Sequence, residues 1–261
     1  MDHGVYHATS HEIANRYLLR ATFVFRMSQV NRADPVAQHI LQMIHRDMVH
    51  KRHALQMSRY LIAKRIFDVV FSVCGLLFLA PVMISISIAI KLDSDGPICY
   101  LGERVGLAGK RFRIFKFRTM RPGSEALGTT TAGDDPRITK VGRLIRRLKL
   151  DELPQLINVL KGEMSIVGPR PEVEEHTDAY DETEKQILTV LPGITDYSSI
   201  HFVNLGDLIG NENPHYLFVT RFRSEKNRLR LKYVQNRSFR EDMKIISRTL
   251  ITLVDVAAGR R

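Results

Sequence analysis

Apolar positions along the chain change their spacing several times, and each change marks a predicted element. From Asp34 and Pro35 toward Tyr60, Val36, Ile40, Met43, Ile44 and Met48 recur at helical spacing, with Asp34 as N-cap and Pro35 as the first helical residue. The methionines of this stripe read as packing surface, with docking to a partner or membrane as the minority reading. The next run, Ile66 to Ile90, is apolar all round: IFDVVFSVCGLLFLAPVMISISIAI carries a single charge, Asp68. It exceeds the roughly 20 apolar residues that cross a bilayer. Pro81 removes a backbone donor within it and crowds the preceding turn, while Ser72, Ser85 and Ser87 offer local hydrogen bonds, so a break is expected. Beyond the loop Asp93 to Pro97 and glycine turns at Gly106 and Gly109, RFRIFKFRTM alternates Arg111, Arg113, Lys116 and Arg118 with aromatic and aliphatic residues. That pattern predicts a strand or short amphipathic segment with a cationic side.

Val141 to Leu150, VGRLIRRLKL, predicts a short helix suited to a lipid headgroup interface, with Leu144, Ile145 and Leu148 among arginines and Lys149. A second helix follows at once. Asp151 is its expected N-cap, Leu153, Leu156, Ile157 and Leu160 are its apolar positions, and Gly162 is its stop. Turns are expected at Pro192-Gly193 and Asn213-Pro214. A capping box, Ser238 with Glu241, opens a final helix whose apolar face is Phe239, Met243, Ile246, Leu250, Leu253 and Val254.

Composition narrows the class. A chain of 261 residues with 44% apolar content can build one substantial domain plus appendages, and a formal charge of +11 implies an anionic partner. No RNP1 pattern, helix-turn-helix or zinc-finger spacing accompanies the basic residues, so nucleic acid is set aside in favour of phosphate or anionic lipid. Cys74 and Cys99 form no CxxC pair, which argues against a disulfide framework or zinc ribbon, and the polar start is not expected to be a secretory leader. Basic residues flank the apolar run on both sides: Arg59, Lys64 and Arg65 before it, Lys91, Arg104 and Lys110 after it. A single crossing would leave one basic flank outside, against the positive-inside tendency. A re-entrant helix with both ends cytoplasmic, a plain span and a buried core helix all stay open on these grounds.

The candidate chemistry is the adjacent pair Asp151 and Glu152 among Arg146, Lys149 and Arg170. Adjacent acids at a helix start are usually caps, yet cations around them would let an anionic substrate group approach. Asp134 and Asp135 in TTTAGDDP could bind a metal, but the spacing reads more readily as a turn.

The ordered pieces KRIFDVV, DGP, ERVGLAGKRFRIFKFRTM, DPRITKVGRLIRRLKLDELPQLINVLKGEMSIVGPRP, PGIT and YVQNRSFREDMKII resemble the bacterial sugar transferase family. These are monotopic polyprenyl-phosphate phosphoglycosyl transferases, and the resemblance runs from about Ala63 onward. It implies an α-rich α+β fold, monotopic in the bacterial inner (cytoplasmic) membrane. A Pro81-broken re-entrant helix and interfacial amphipathic helices would accompany a compact catalytic domain on the cytoplasmic face. The implied division is residues 1–60 as a helical extension of unassigned role, 61–95 as the re-entrant helix and 96–261 as the catalytic domain.

The implied reaction moves a sugar 1-phosphate from a UDP-sugar to undecaprenyl (polyprenyl) phosphate and releases UMP, the first membrane step of surface glycan synthesis. Asp151 matches the family's nucleophile, Mg²⁺ is expected on Asp151 with help from Glu152, and Lys116, Arg146 and Arg170 match its phosphate-binding cations. Arg118 is a further substrate-binding candidate, and Pro169-Arg170-Pro171 matches the nucleotide-contacting loop. The alternative is a catalytically silent membrane-docked scaffold with the same fold; a homo-oligomer stays open. The chain departs from the common pattern at Ala80, at Gly102 and after Pro192-Gly193, where it reads ITDYSSIHF.

Overall fold

A computed structural model describes residues 35–124, 135–209 and 214–260. Two compact units divide at Arg59 and Tyr60. Helix α1, Pro35–Asp93, begins at the proline expected to open it and carries the boundary between the units; Asp34 lies outside the described residues. In the first unit, Met43, Ile44 and Met48 are exposed.

In the second unit α1 is continuous across Pro81, so the predicted break does not divide it into two helices. Ser85 and Ser87 donate to the carbonyls of Pro81 and Met83, at 2.9 and 2.7 Å, which keeps their hydroxyls satisfied within an apolar stretch. One side of α1 is polar at widely spaced points, and every one of these groups meets the domain. Tyr60 and Lys64 both donate to Asp242, at 3.0 and 2.9 Å. Arg65 donates to the carbonyls of Val159 and Leu160, and Asp68 accepts from the backbone N–H of Ile166 at 3.0 Å. The single charge of the apolar run is therefore 1% exposed inside protein. The opposite side presents Ile66, Val70, Leu77, Phe78, Ile84, Ile88 and Leu92 outward, and Leu55–Asp93 is long and apolar enough to cross a membrane.

The remaining fold is helix-rich around two small strand pairs. β2 (Arg111–Phe117) is the strand that the alternating pattern allowed, and it pairs with β1 (Cys99–Val105) in an antiparallel hairpin with Lys116 opposite Tyr100. α2 (Lys140–Arg147) is N-capped by Thr139, whose side chain accepts from Gly142, and again by Asp93, which accepts from Val141 at 3.0 Å. α3 (Gln155–Lys161) ends at Gly162 with φ +80°, the expected stop. β3 (Ser165–Val167) and β4 (Gly193–Thr195) pair in parallel, so Pro192-Gly193 leads into a strand where a turn was predicted. Between them lie α4 (Glu174–Asp178) and a 3₁₀ segment; α5 (Tyr197–His201), α6 (Leu205–Ile209), α7 (Pro214–Leu217), α8 (Arg223–Asn236) and α9 (Phe239–Ala257) complete the chain. Asn213 falls outside the described residues.

Two apolar clusters hold the unit. Ile114, Leu156, Val159, Met164, Tyr233 and Ile245 form one, onto which Phe67 and Leu76 of α1 pack. Ile86 and Ile90 of α1 join Phe117 and Ile145 in the other. The Ser238 cap of α9 is observed, and Ile246 of the expected apolar face packs against the core. Asp242, Ile245, Thr252 and Val256 are buried, whereas Phe239, Leu250 and Val254 are exposed. Polar anchoring decides the rotation: Asp242 accepts from Tyr60, Lys64 and Tyr233, and the Thr249 and Thr195 hydroxyls meet at 2.7 Å.

Gly168 and Gly193 bring β3 and β4 so close that a Cβ on Gly193 would stand 2.0 Å from the Gly168 nitrogen. Gly193→Ala is expected to cost more than about 3 kcal/mol. Gly109→Ala should cost only about 1–2 kcal/mol, since φ there is +76° but nothing lies within 4 Å. Denaturant unfolding of the two variants in detergent compares them, and equal losses would refute the close approach.

Candidate functional site

The site begins with a conformational oddity. Lys149, just past α2, adopts φ +57°, ψ +20°, left-handed geometry unusual for a residue with a side chain. It reverses the chain into a 3₁₀ turn, Leu150–Glu152, and α3 starts only after Pro154. Asp151 consequently does not cap α3. Its Oδ2 lies 2.7 Å from Lys116 Nζ of β2, and its Oδ1 is buried without a hydrogen-bond partner.

Glu152 points to a different cation. Arg170 donates to both of its oxygens, at 2.7 and 2.5 Å, while Lys116 Nζ stands 3.5 Å away. Burial on its own would raise the Glu152 carboxyl, but Arg170, followed by Lys116, outweighs it and holds the group well below the usual carboxylate range. The same pair holds Arg170 above its ordinary value against burial.

Asn158 fixes the distance between the two halves. Its Oδ1 accepts from Phe115 N at 2.8 Å, and its Nδ2 donates to Arg113 O at 2.8 Å and to Glu163 Oε2 at 2.7 Å. This clamps α3 onto β2, so that Lys116 faces Asp151. Arg146 on α2 donates to Thr119 Oγ1 at 2.7 Å; burial lowers its guanidinium, with Asp151 the leading influence in the other direction. Burial also lowers the Lys149 ammonium, opposed first by Glu152.

The Pro169-Arg170-Pro171 loop leaves the end of β3. Pro169 O accepts from Gly193 N at 3.0 Å, and Arg170 N reaches Asp196 Oδ2 at 3.4 Å. The loop lines a shallow recess with Val105, Glu172, Tyr180 and Ile187. Asp151, Glu152, Lys116, Arg146 and Arg170 are thus one constellation.

Arg118 is not part of it. Arg118 donates to Ser94 O and Oγ, at 2.7 and 3.0 Å, just beyond the end of α1, where uncapped carbonyls attract a cation. A Cβ on Gly96 would stand 2.3 Å from its Nη1, so the loop reserves space for it. Asp135 likewise serves its turn, accepting from Arg137 Nη2 at 2.6 Å and from Arg137 N at 2.9 Å. Asp134 lies outside the described residues.

Two residues escaped the sequence reading. Asn158 looks like any polar residue on a helix, and its role depends on the strand it meets. Gln155 is 0% exposed with both amide atoms unpartnered, four residues beyond Asp151, and only its place in DELPQ hinted at it.

Asp151 Oδ1 suits a hard cation, being a buried carboxylate oxygen without a donor. Glu152 does not in this arrangement, because both of its oxygens already accept from Arg170.

The family profile described as bacterial sugar transferase matches residues 59–256. The chain is 41% identical over 145 residues to an Aeromonas hydrophila UDP-N-acetylgalactosamine-undecaprenyl-phosphate N-acetylgalactosaminephosphotransferase, covering 54% of this chain and 34% of that protein. It is 42% identical over 142 residues to an Escherichia coli UDP-glucose:undecaprenyl-phosphate glucose-1-phosphate transferase, covering 53% and 31%. With the Rhizobium meliloti exopolysaccharide production protein ExoY it shares 35% identity over 204 residues, 72% of this chain and 84% of that one. The chain thus spans about a third of the length of the first two relatives and most of the third.

Glu152 is ionised below its unfolded value of about 4.3, so its contribution to stability is complete above about pH 5 and fades as pH falls below that range. Glu152→Gln is expected to lose about 2–3 kcal/mol at pH 7, at the low end for a buried pair because Arg170 keeps 29% exposure. It should also flatten the stability decline between about pH 5 and 3. Denaturant midpoints across that range give both values, and an unchanged pH slope would refute the pairing.

Proposed function

The chain belongs to the bacterial sugar transferase family, and on that premise we propose that it transfers a sugar 1-phosphate from a UDP-sugar to undecaprenyl phosphate. The observation that carries the reading is the asymmetry of the two carboxylates. Glu152 is fully engaged by Arg170, whereas Asp151 is gripped by Lys116 through one oxygen and has the other without a partner.

Asp151 is the nucleophile. A carboxylate oxygen attacks the phosphorus that bears the sugar, the bond between the two phosphorus-bearing groups breaks, and UMP departs with the bridging oxygen. The product is a phosphosugar ester of Asp151. An oxygen of undecaprenyl phosphate then attacks the same phosphorus and returns the carboxylate. Dividing the transfer this way lets a soluble donor and a lipid acceptor use one site in turn.

Lys116 orients Asp151 and, with Arg146 and Lys149, offsets the negative charge of the incoming diphosphate. Arg170 sits between Glu152 and the recess, so its backbone loop is placed to meet the nucleotide. Mg²⁺ held by Asp151 would supply further neutralisation of charge on the leaving group. Glu152 takes part in that binding only by giving up Arg170; in its observed place it orients Arg170.

The apolar outer side of α1, the exposed Leu144 of α2 and the exposed Leu250, Ile251 and Val254 of α9 support seating in a lipid layer. We place the part of α1 from residue 61 onward in the cytoplasmic leaflet as a re-entrant element that must bend at Pro81 without losing its helical continuity, with the catalytic unit on the cytoplasmic face of a bacterial membrane. Basic flanks on both sides of the apolar run favour this over a crossing.

Purified protein with Mg²⁺, a panel of UDP-sugars and undecaprenyl phosphate should release UMP. Asp151→Asn should reduce release at least about 10³-fold and yield no phosphosugar adduct by intact-protein mass spectrometry. An adduct surviving that substitution would overturn the assignment, and silence of the wild type across the panel would favour the scaffold. For topology, tags on both termini should be reached by impermeant reagents only after the cytoplasmic side is opened; a terminus labelled from outside would refute re-entry.

A further inference from the structure

Beside Glu172, α4 and α7 bring together a second set of donor side chains. Among the described residues, Glu175, His176 and His215 each offer a ligand atom within 4.8 Å of the others. Glu175 and His215 approach to 3.7 Å between Oε1 and Nε2. A tetrahedral site with metal–nitrogen bonds of about 2.0–2.1 Å spaces its ligand atoms about 3.3 Å apart. Glu175 and His215 are 63% and 49% exposed along their side chains, so rotation of these two can close the set.

His176 supplies the independent sign of a ligand. Its ring is buried, 9% exposed, and its Nε2 is an enclosed nitrogen with no hydrogen-bond partner. Such a group costs free energy unless something meets it. The ring cannot easily turn away, because Phe218 stacks on it at 4.9 Å and Glu172 Oε2 lies 3.2 Å from Nδ1. Glu172 is itself an ion: Arg230 donates to its Oε1, and Lys226 Nζ stands 3.5 Å away. A carboxylate at Nδ1 takes the N–H of that nitrogen and leaves the lone pair on Nε2. This carboxylate–histidine pairing is how metal-binding imidazoles are commonly oriented.

We propose that Glu175, His176 and His215 form a binding site for one zinc-class divalent ion, with Glu172 orienting His176 from behind. The donor set is two imidazole nitrogens and one carboxylate oxygen, with a fourth position left for water. Borderline metals prefer such ligands, whereas Mg²⁺ prefers oxygen alone. Local charge points the same way. Arg230 and Lys226 together outweigh Glu172, and Lys226 also lies over the Phe218 ring at 4.8 Å, so no negative field is left there to draw a hard cation and binding rests on the nitrogen donors. Bound there, the ion would tie α7 to α4, whose Thr177 is part of the recess wall.

The test uses the full chain in detergent, stripped with EDTA and titrated with ZnCl₂ by calorimetry, with and without a large excess of MgCl₂. Other histidines in the chain make the comparison between variants decisive. Wild type should bind one more equivalent of Zn²⁺ than His215→Ala or Glu175→Gln, both altered at exposed positions. MgCl₂ should leave that equivalent in place. Backbone hydrogen exchange should slow in α4 and α7 on adding Zn²⁺ to wild type and remain unchanged in His215→Ala. Equal stoichiometry in wild type and His215→Ala, or displacement of the extra equivalent by Mg²⁺, would overturn the proposal. Neither readout depends on sugar transfer.

Discussion

Two neighbouring carboxylates share one turn because each has a cation of its own, and this pairing sets the terms for the rest of the unit. Lys116 comes from the hairpin, Arg170 from the loop after β3, and the acids from the turn between α2 and α3. Three separate stretches must therefore converge within hydrogen-bonding distance. Asn158 fixes the first approach and the Gly168–Gly193 contact the second. Breaking either convergence leaves a buried charge without its partner, a more serious loss than that of the contact itself.

The same principle governs the long helix. A polar stripe of Tyr60, Lys64, Arg65 and Asp68 is matched group for group by the domain, while the other side of α1 is left apolar. The helix is a shared wall: core for the catalytic unit on one face and an uncovered apolar surface on the other. Leu76 and Phe67 pack with the core that includes Leu156 of α3, so the helix and the turn bearing Asp151 rest on common ground.

Elements written in local patterns were legible in the sequence. The strand bearing Lys116 followed from the alternation around it, the stop of α3 from Gly162, and the start of α9 from its Ser238 cap. The acids and three of their cations could be named through motif resemblance. What escaped depended on distant partners. Asp151 looked like a helix cap because nothing in DELPQ reveals that Lys149 turns left-handed before it. Arg118 shares the basic segment with Lys116, yet the end of α1 claims it. Whether the apolar face of α9 meets the domain or lipid was not legible, because hydrophobic periodicity cannot tell a side buried by polar anchors from one left outside.

Asp196 opens the stretch where this chain departs from the common family wording. It is 0% exposed, accepts from Ser198 and Ser199, and meets the Arg170 loop through one long contact of 3.4 Å to a backbone N–H. It reaches the two acids at second hand, because Arg170 donates to Glu152 through its guanidinium and to Asp196 through its backbone. That long contact makes the tie a loose one: Asp151 and Glu152 draw their cations from β2 and from the loop after β3, so the segment from Asp196 onward can vary in sequence while the charge pairing beside it keeps its own supports.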